Sequence, residues 1–356
     1  MKHMLYAIII IVVLSASSCT KTPSASSPLH DECNSIYYWK TVFHLDSADR
    51  AFIHRHHIRR VYLRMFDVIK NYEASGLDNL TVPNATVRVG DDDYGLIRDS
   101  MTAIEFIPVV YITLDALKAM KRHEGVMASN IVERVKNMCQ YNELPNVSEL
   151  QLDCDWTAST EASFFNLCDS VKQLISKLQL PWRLSSTIRL HQLARKAPPV
   201  DNGVLMVYNT GSFDNPDTRN SIIDADDVRP YLKYLSAYPL HLDIAYPTYS
   251  WQLLFRKRRF IGLINGVNTA DSTHFTCSDD NSYQALLDFP HNDKVICAGD
   301  IVREERSSCN DIISVKEMIE RHMSSRKHSN ILYHLDLDNL SKYSCDEIDN
   351  IMATDL

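Results

Sequence analysis

Three motifs are missing from this chain, and each absence removes a class of chemistry. There is no G-x-S-x-G elbow, no glycine-rich phosphate loop and no G-x-G-x-x-G fingerprint. Serine-hydrolase, nucleotide-binding and dehydrogenase readings therefore lose their main support. The nine cysteines include no Cys-x-x-Cys pair and no Cys/His set at metal-ligand spacing. Positive charge is also scarce: a net charge of −8 argues against nucleic acid, whose phosphates demand a basic surface. No apolar run reaches the ~20 residues of a membrane-spanning helix, and no internal repeat is visible. Nothing here calls for a cofactor, a nucleotide or a metal.

What is present begins at the N-terminus. A basic Lys2, an apolar run over residues 5–14 and the small residues Ala16, Ser17 and Ser18 lead directly to Cys19. This pattern predicts a secretory signal over residues 1–18, and the cysteine after the small residues resembles the bacterial lipobox. That resemblance implies acylation of Cys19 and a membrane anchor in the cell envelope, in the periplasm or on the outer-membrane surface. Residues 20–30 are rich in Ser, Thr and Pro, so residues 19–34 read as the lipidated cysteine and a flexible tether. A hydrophobic content of 45% and a charged content of 23% describe a globular body over residues 35–356. Cys19 aside, an even set of cysteines remains. Cys154 and Cys168 read as buried thiols, and one disulfide is expected among Cys277, Cys297 and Cys309.

Apolar strand-like runs alternate with helical stretches through the body. Strands are predicted over 36–43, 61–67, 106–112, 150–155, 184–189, 204–209, 242–246 and 331–336. Several are continuously apolar, as expected of parallel strands covered on both faces. Helices are predicted over 47–57, with Ser47 as cap and Asp49 in the first turn, and over 128–141, 160–178, 228–236 and 314–323. Residues 68–104 lack a clear second helix. Eight strands separated by helices favour a (β/α)8 TIM-like barrel, an α/β fold, over a doubly wound sheet. Residues 251–305 read as a subdomain inserted between the seventh strand and its helix, with strand-like runs at 260–266 and 295–302. An alternative count makes 295–302 a barrel strand.

Functional side chains of such barrels sit at the C-terminal strand ends, and the predicted ends here are polar or aromatic. They carry Trp39, Asp67, Asp153 with Asp155 and Trp156, Arg189, Tyr208 with Asn209, Tyr246, and Asp336. Asp153 and Asp155 stand two apart on one strand, about 6.6 Å along the same face. Two close carboxylates raise one pKa unless a cation intervenes, an arrangement suited to acid/base catalysis. Asp155 is the candidate acid, with Asp153 shifting its pKa and Asp67 or Asp336 as second carboxylate. Tyr208 or Tyr246 would orient a substrate carbonyl, and Trp39 would stack on a sugar. The competing expectation pairs both aspartates with Arg189 or Arg64 as a buried ionic network.

The run from Leu150 to Thr157, with Asp153-x-Asp155-Trp156, resembles the end of the D-x-x-D-x-D-x-E strand of family 18 chitinase-like glycosidases. The resemblance implies a barrel, an acidic cleft, N-acetylated glycans as substrate and the substrate's acetamido group as nucleophile. Leu150 replaces the first Asp of the motif, and Thr157 replaces its catalytic Glu. Residues 37–41, 150–157, 186–193 and 198–206 are also similar to an uncharacterised group of lipoproteins from Bacteroides-like bacteria.

Other clusters carry less. His54, His56 and His57 read as a solvated helix end, Asp91, Asp92 and Asp93 lack the spacing of a calcium loop, and residues 256–259 form a solvated basic turn. Asp336 and Asp338 read as a rim pair. The expected function is glycan hydrolysis by an envelope lipoprotein. The alternative is a non-catalytic envelope lipoprotein that binds a glycan or a partner protein.

Overall fold

The computed structural model describes residues 31–354 except 75, 77, 78, 91, 92, 94–96, 98–102, 324 and 326. The predicted signal, Cys19 and residues 20–30 lie outside the described residues, as do Asp91 and Asp92 and much of the segment expected to hold the second helix. Eight parallel strands form the barrel: β1 (Ser35–Tyr38), β2 (Arg60–Lys70), β3 (Glu105–Ile112), β4 (Glu149–Asp153), β5 (Arg183–Arg189), β6 (Asn202–Met206), β7 (Leu242–Pro247) and β8 (Asn330–Tyr333). Each pairs in parallel with its neighbour, and β1 closes the ring by pairing with both β8 and β2.

All eight correspond to predicted runs, but several stop early at the rim. The first predicted strand breaks after Tyr38, and Val42–Phe43 pairs separately with Arg88–Val89. Strand β4 ends at Asp153, β6 at Met206 and β8 at Tyr333. Asp155, Trp156, Tyr208, Asn209 and Asp336 therefore lie in the loops above the barrel. Here the chain leaves the ladder to enter the next helix, and side chains take over its hydrogen bonding.

Two packed layers follow from strand alternation. Tyr37, Tyr62, Ile107, Val109, Val204, Met206, Ala245 and Ile331 fill the barrel. The opposite faces, including Leu150, Leu152 and Ile244, join the larger core under the helices. Helices Glu124–Tyr141 and Glu161–Lys177 pack against each other, the second also on β5, each presenting a buried apolar stripe. The predicted helix over 228–236 is instead a short α-helix, Ala225–Val228, continued as a 3₁₀ turn Arg229–Ala237. Pro230, at the start of that turn, has no N–H to donate.

The inserted subdomain follows β7 directly. Its five antiparallel strands run in the order Arg259–Ile264, Ser250–Arg256, Ile301–Arg306, Ser282–Ala285, Phe275–Asp279. A small hairpin, Phe289–His291 with Lys294–Ile296, lies beside them. Leu254, Ile264, Phe275, Ile296 and Val302 form its own core. The alternative placing 295–302 in the barrel is thereby corrected: Ile301–Arg306 pairs antiparallel with Ser250–Arg256. Helix Cys309–Glu320 returns the chain to the barrel, capped by Ser308. Cys277, Cys297 and Cys309 are all free thiols, against the expected disulfide, and Cys154 and Cys168 are buried thiols as expected.

The lower end of the barrel is held by buried charge. Arg60 donates to Glu105 at 2.7 Å, and the Ser329 N–H donates to Asp243 at 2.7 Å. Burial would raise the pKa of Asp243, but the hydrogen bonds from His241 and the Ser329 N–H outweigh it and lower the value. A lowered carboxylate contributes stability above its unfolded pKa, near 4, and loses it as the pH falls through the folded value. Urea melts between about pH 6 and pH 3 should show this acid-side loss. Asp243→Asn, which keeps an acceptor for Ser329, should flatten it, whereas Asp243→Ala should cost about 2–4 kcal/mol at neutral pH.

Candidate functional site

A bulge builds one wall of the barrel mouth. The β2–β3 register shifts between Arg64 and Phe66, leaving Met65 as the extra residue. Arg64 and Asp67, three apart, thus reach the same side. Arg64 Nε donates to Asp67 Oδ1 at 2.9 Å, and the guanidinium lies 5.3 Å from the centre of the Trp39 ring.

The opposite wall centres on Arg189, at the end of β5. Its Nε donates to Asp155 Oδ1, its Nη2 to Asp153 Oδ1 at 3.1 Å, and its Nη1 to the Tyr208 hydroxyl at 3.2 Å. Thr187 Oγ1 also donates to Asp153, at 2.6 Å. One guanidinium thus holds both carboxylates of the Asp-x-Asp run, and the ionic network weighed from sequence is present. The Asp153 side chain is only 3% exposed and that of Asp155 is 44% exposed, so ligand access is confined to Asp155. Burial raises the pKa of Asp153; Arg189 opposes the shift, and Asp155 adds to it more weakly. The rise expected from like charge is thus mainly a desolvation effect.

Gln192, absent from the sequence-derived candidates, braces this arrangement. Fully buried, it accepts from the Arg189 N–H at 2.8 Å and donates to the Trp156 carbonyl at 2.9 Å. It ties the loop carrying Asp155 to the end of β5, where Arg189 stands.

Aromatic rings line the rest of the mouth and continue onto the insert. Trp39 meets Tyr333 at 5.8 Å, Tyr333 stacks on Tyr208 at 4.6 Å, and Tyr208 meets Tyr249 at 6.3 Å. Tyr249 meets Trp251 at 5.5 Å and Trp251 meets Phe213 at 6.4 Å. Phe213 is exposed and the other five are half-buried. Burial pushes the pKa values of Tyr208 and of Tyr111, which is opposite Asp153 on β3, up to about 12. Both phenols are neutral donors at physiological pH.

The other candidates are placed differently. Trp156 is fully buried and packs on Phe164 and Phe165 beneath helix Glu161–Lys177. Tyr246 also belongs to the outer core, because the inward position on β7 is Ala245. The expectation that Trp156 and Tyr246 line the mouth is corrected on that ground. Asn209 is exposed and accepts from the Tyr249 hydroxyl at 2.8 Å. Asp336 accepts from Asn339 at 2.8 Å within the loop after β8, apart from the Arg189 group. Thr157, at the motif's Glu position, turns to Ser159 at 3.1 Å and brings no carboxyl group. Tyr111, Tyr249 and Tyr333 were not singled out, although the strand period of two places Tyr111 inward with Ile107 and Val109. Among the described residues no group of three His, Cys, Asp or Glu gathers as a metal site.

Neither a protein-family model nor a curated protein matches the chain. Solved structures do. The chain is similar to the spore cortex-lytic enzyme SleL of Bacillus cereus, with a TM-score of 0.55 at 12% identity over 91% of this chain and 75% of that one. It is similar to human YKL-39, described as a pseudo-chitinase with retained chitooligosaccharide binding, at 0.54 and 7% over 90% and 98%. It is likewise similar to a chitinase from Chromobacterium violaceum, at 0.51 and 11% over 90% and 98%. The barrel is thus of the fold found in chitinases and their non-hydrolytic relatives.

The buried Asp153–Arg189 pair generates a direct test. Arg189→Met should cost about 3–5 kcal/mol in urea melts, because Asp153 then stays buried without its cation. Adding Asp153→Asn should restore much of that loss. If the second change restores nothing, the pair does not hold the mouth together.

Proposed function

We propose that this chain is a cell-envelope lipoprotein, anchored through Cys19, whose barrel mouth binds a glycan without cleaving it. The observation that carries the second half is the clamp of Asp153 and Asp155 on Arg189. A general acid must hold a transferable proton at working pH and face the bond it cleaves. Both aspartates accept hydrogen bonds from the Arg189 guanidinium, which occupies the oxygens it bonds, and Thr157 supplies no other carboxyl group at the Glu position. What remains is a binding surface. Half-buried indole and phenol rings match the apolar C–H faces of sugar rings, and Asp155, Tyr208 and Arg64 are set among them to meet hydroxyl groups. The likeness to YKL-39, which binds chitooligosaccharides as a pseudo-chitinase, supports the same reading, and N-acetylated glycans are the first class to try.

The anchor rests on the lipobox-like run ending at Cys19, and it implies attachment in the periplasm or on the outer-membrane surface. Among the described residues no helix is long and apolar enough to cross a membrane. Hydrolysis is the second reading, favoured only by the exposure of Asp155 to ligand.

A glycan panel applied to the chain from Thr20 onward, scored for binding and for released product, separates these readings. Binding without release is expected, with Trp39→Ala weakening it by about tenfold. Product release that disappears in Asp155→Asn would replace the binding reading with hydrolysis.

A further inference from the structure

A cleft runs along the outside of the barrel, away from the mouth. Side chains of β2 alternate, so Asp67 faces the mouth while Phe66 and Val68 face outward. Helix Glu124–Tyr141 and strand Thr81–Asn84 flank these two residues and leave a space of about 600 Å³, within the range of small-ligand sites.

The helix lays residues 127, 131, 134 and 138, three and four apart, along this space. Three of them are Met127, Ile131 and Met138, and the fourth is Arg134, a cation in an otherwise apolar stripe. Its guanidinium lies 5.1 Å from the centre of the Phe66 ring, and its Nη2 donates to Thr86 Oγ1 at 3.1 Å. Its Nε is buried and has no hydrogen-bond partner. Among the described residues no carboxylate pairs with Arg134, so a half-buried charge and a donor are left uncompensated. Glu133 also lines the space, but it is exposed, as are Asn130 and Asn137 on the same side of the helix, and water screens it there.

Strand Thr81–Asn84 is the outermost of its sheet, paired only with β2 among the described residues. Extended peptides add to such edges, but Pro83 has no N–H to offer one. A compact ligand suits the space better, with an alkyl chain against Phe66, Val68 and Ile131 and an anionic head on Arg134.

We infer that this cleft binds a single-chain amphiphile with a carboxylate head, and that Arg134 holds the head by charge-assisted hydrogen bonds. The site is separate from the mouth and stands whether or not the mouth binds a glycan.

Calorimetry with straight-chain alkanoates of six to twelve carbons, kept below their micelle concentrations, tests it on the chain from Thr20 onward. Affinity should rise about fourfold per added methylene. Decanoate should bind at least about tenfold more tightly than decanol or decylamine. Arg134→Met should bring decanoate down to the affinity of decanol, and Val82→Trp, which fills the cleft from its edge, should abolish binding of both. The comparison of the three heads on the unaltered chain keeps the test valid if a variant unfolds. Equal affinity for the three heads overturns the inference, as does decanoate binding that survives Val82→Trp. Absence of saturable binding at every chain length overturns it too, and so does an extended acidic peptide that binds where decanoate does not.

Discussion

Asp153 points into a closed barrel, and a carboxylate there is stable only if a cation follows it in. Strand β5 supplies that cation two residues beyond Thr187, itself a donor to Asp153. Most of the upper barrel follows from this pairing. Arg189 must sit deep enough to reach Asp153, which brings its remaining N–H groups against Asp155 and Tyr208. The loop after β4 must come close enough for Asp155 to be reached, and Gln192 fastens it there. The geometry that solves a burial problem also fixes Asp155 and Tyr208 in place at the rim.

Tyrosine is the other constraint. The barrel interior holds Tyr37 and Tyr62 stacked at 4.7 Å, where aliphatic side chains would fill the space without polar atoms. Tyr37 donates to Gln151 at 2.7 Å, and Gln151 donates to Ser185 at 3.3 Å, so a polar thread runs through the packed interior. Burial raises the pKa values of both phenols, keeping them neutral. The same residue type, carried up to Tyr208, Tyr249 and Tyr333, presents its ring faces to the opening. Interior packing and the proposed ligand platform are therefore one continuous stack of rings.

The barrel was legible in the sequence because parallel strands covered on both faces produce long apolar runs, and all eight were recognisable. The same feature hid which side chains point inward. In an evenly apolar run the period of two carries no polarity signal, so Tyr246 read as a rim residue although Ala245 holds the inward place. The bulge at Met65 shifts the alternation of β2, and no residue there marks it. Trp156 follows two aspartates that face the mouth, but its indole turns beneath the next helix. In the insert, runs 260–266 and 295–302 were visible because they are apolar. Phe275–Asp279 and Ser282–Ala285 were not, because their outward faces are polar and their strands short.

An Asp-x-Asp pair on a barrel strand has no fixed meaning, since its role depends on what lies across from it. With a neighbouring Glu and no cation, like charge and burial leave a proton on one carboxyl group at neutral pH. With a guanidinium between them, both carboxyl groups accept its hydrogen bonds and are held in place. Here the second case holds, and the residue that decides it lies 34 positions beyond Asp155, on the adjoining strand. What sets the character of the site is therefore a contact between strands rather than the motif itself. Arg189 was visible in the sequence as a strand end, but only strand pairing brings it between the two carboxylates. The fixed position of Asp155 and the ordered wall of aromatic rings beside it are then two consequences of the same ion pair.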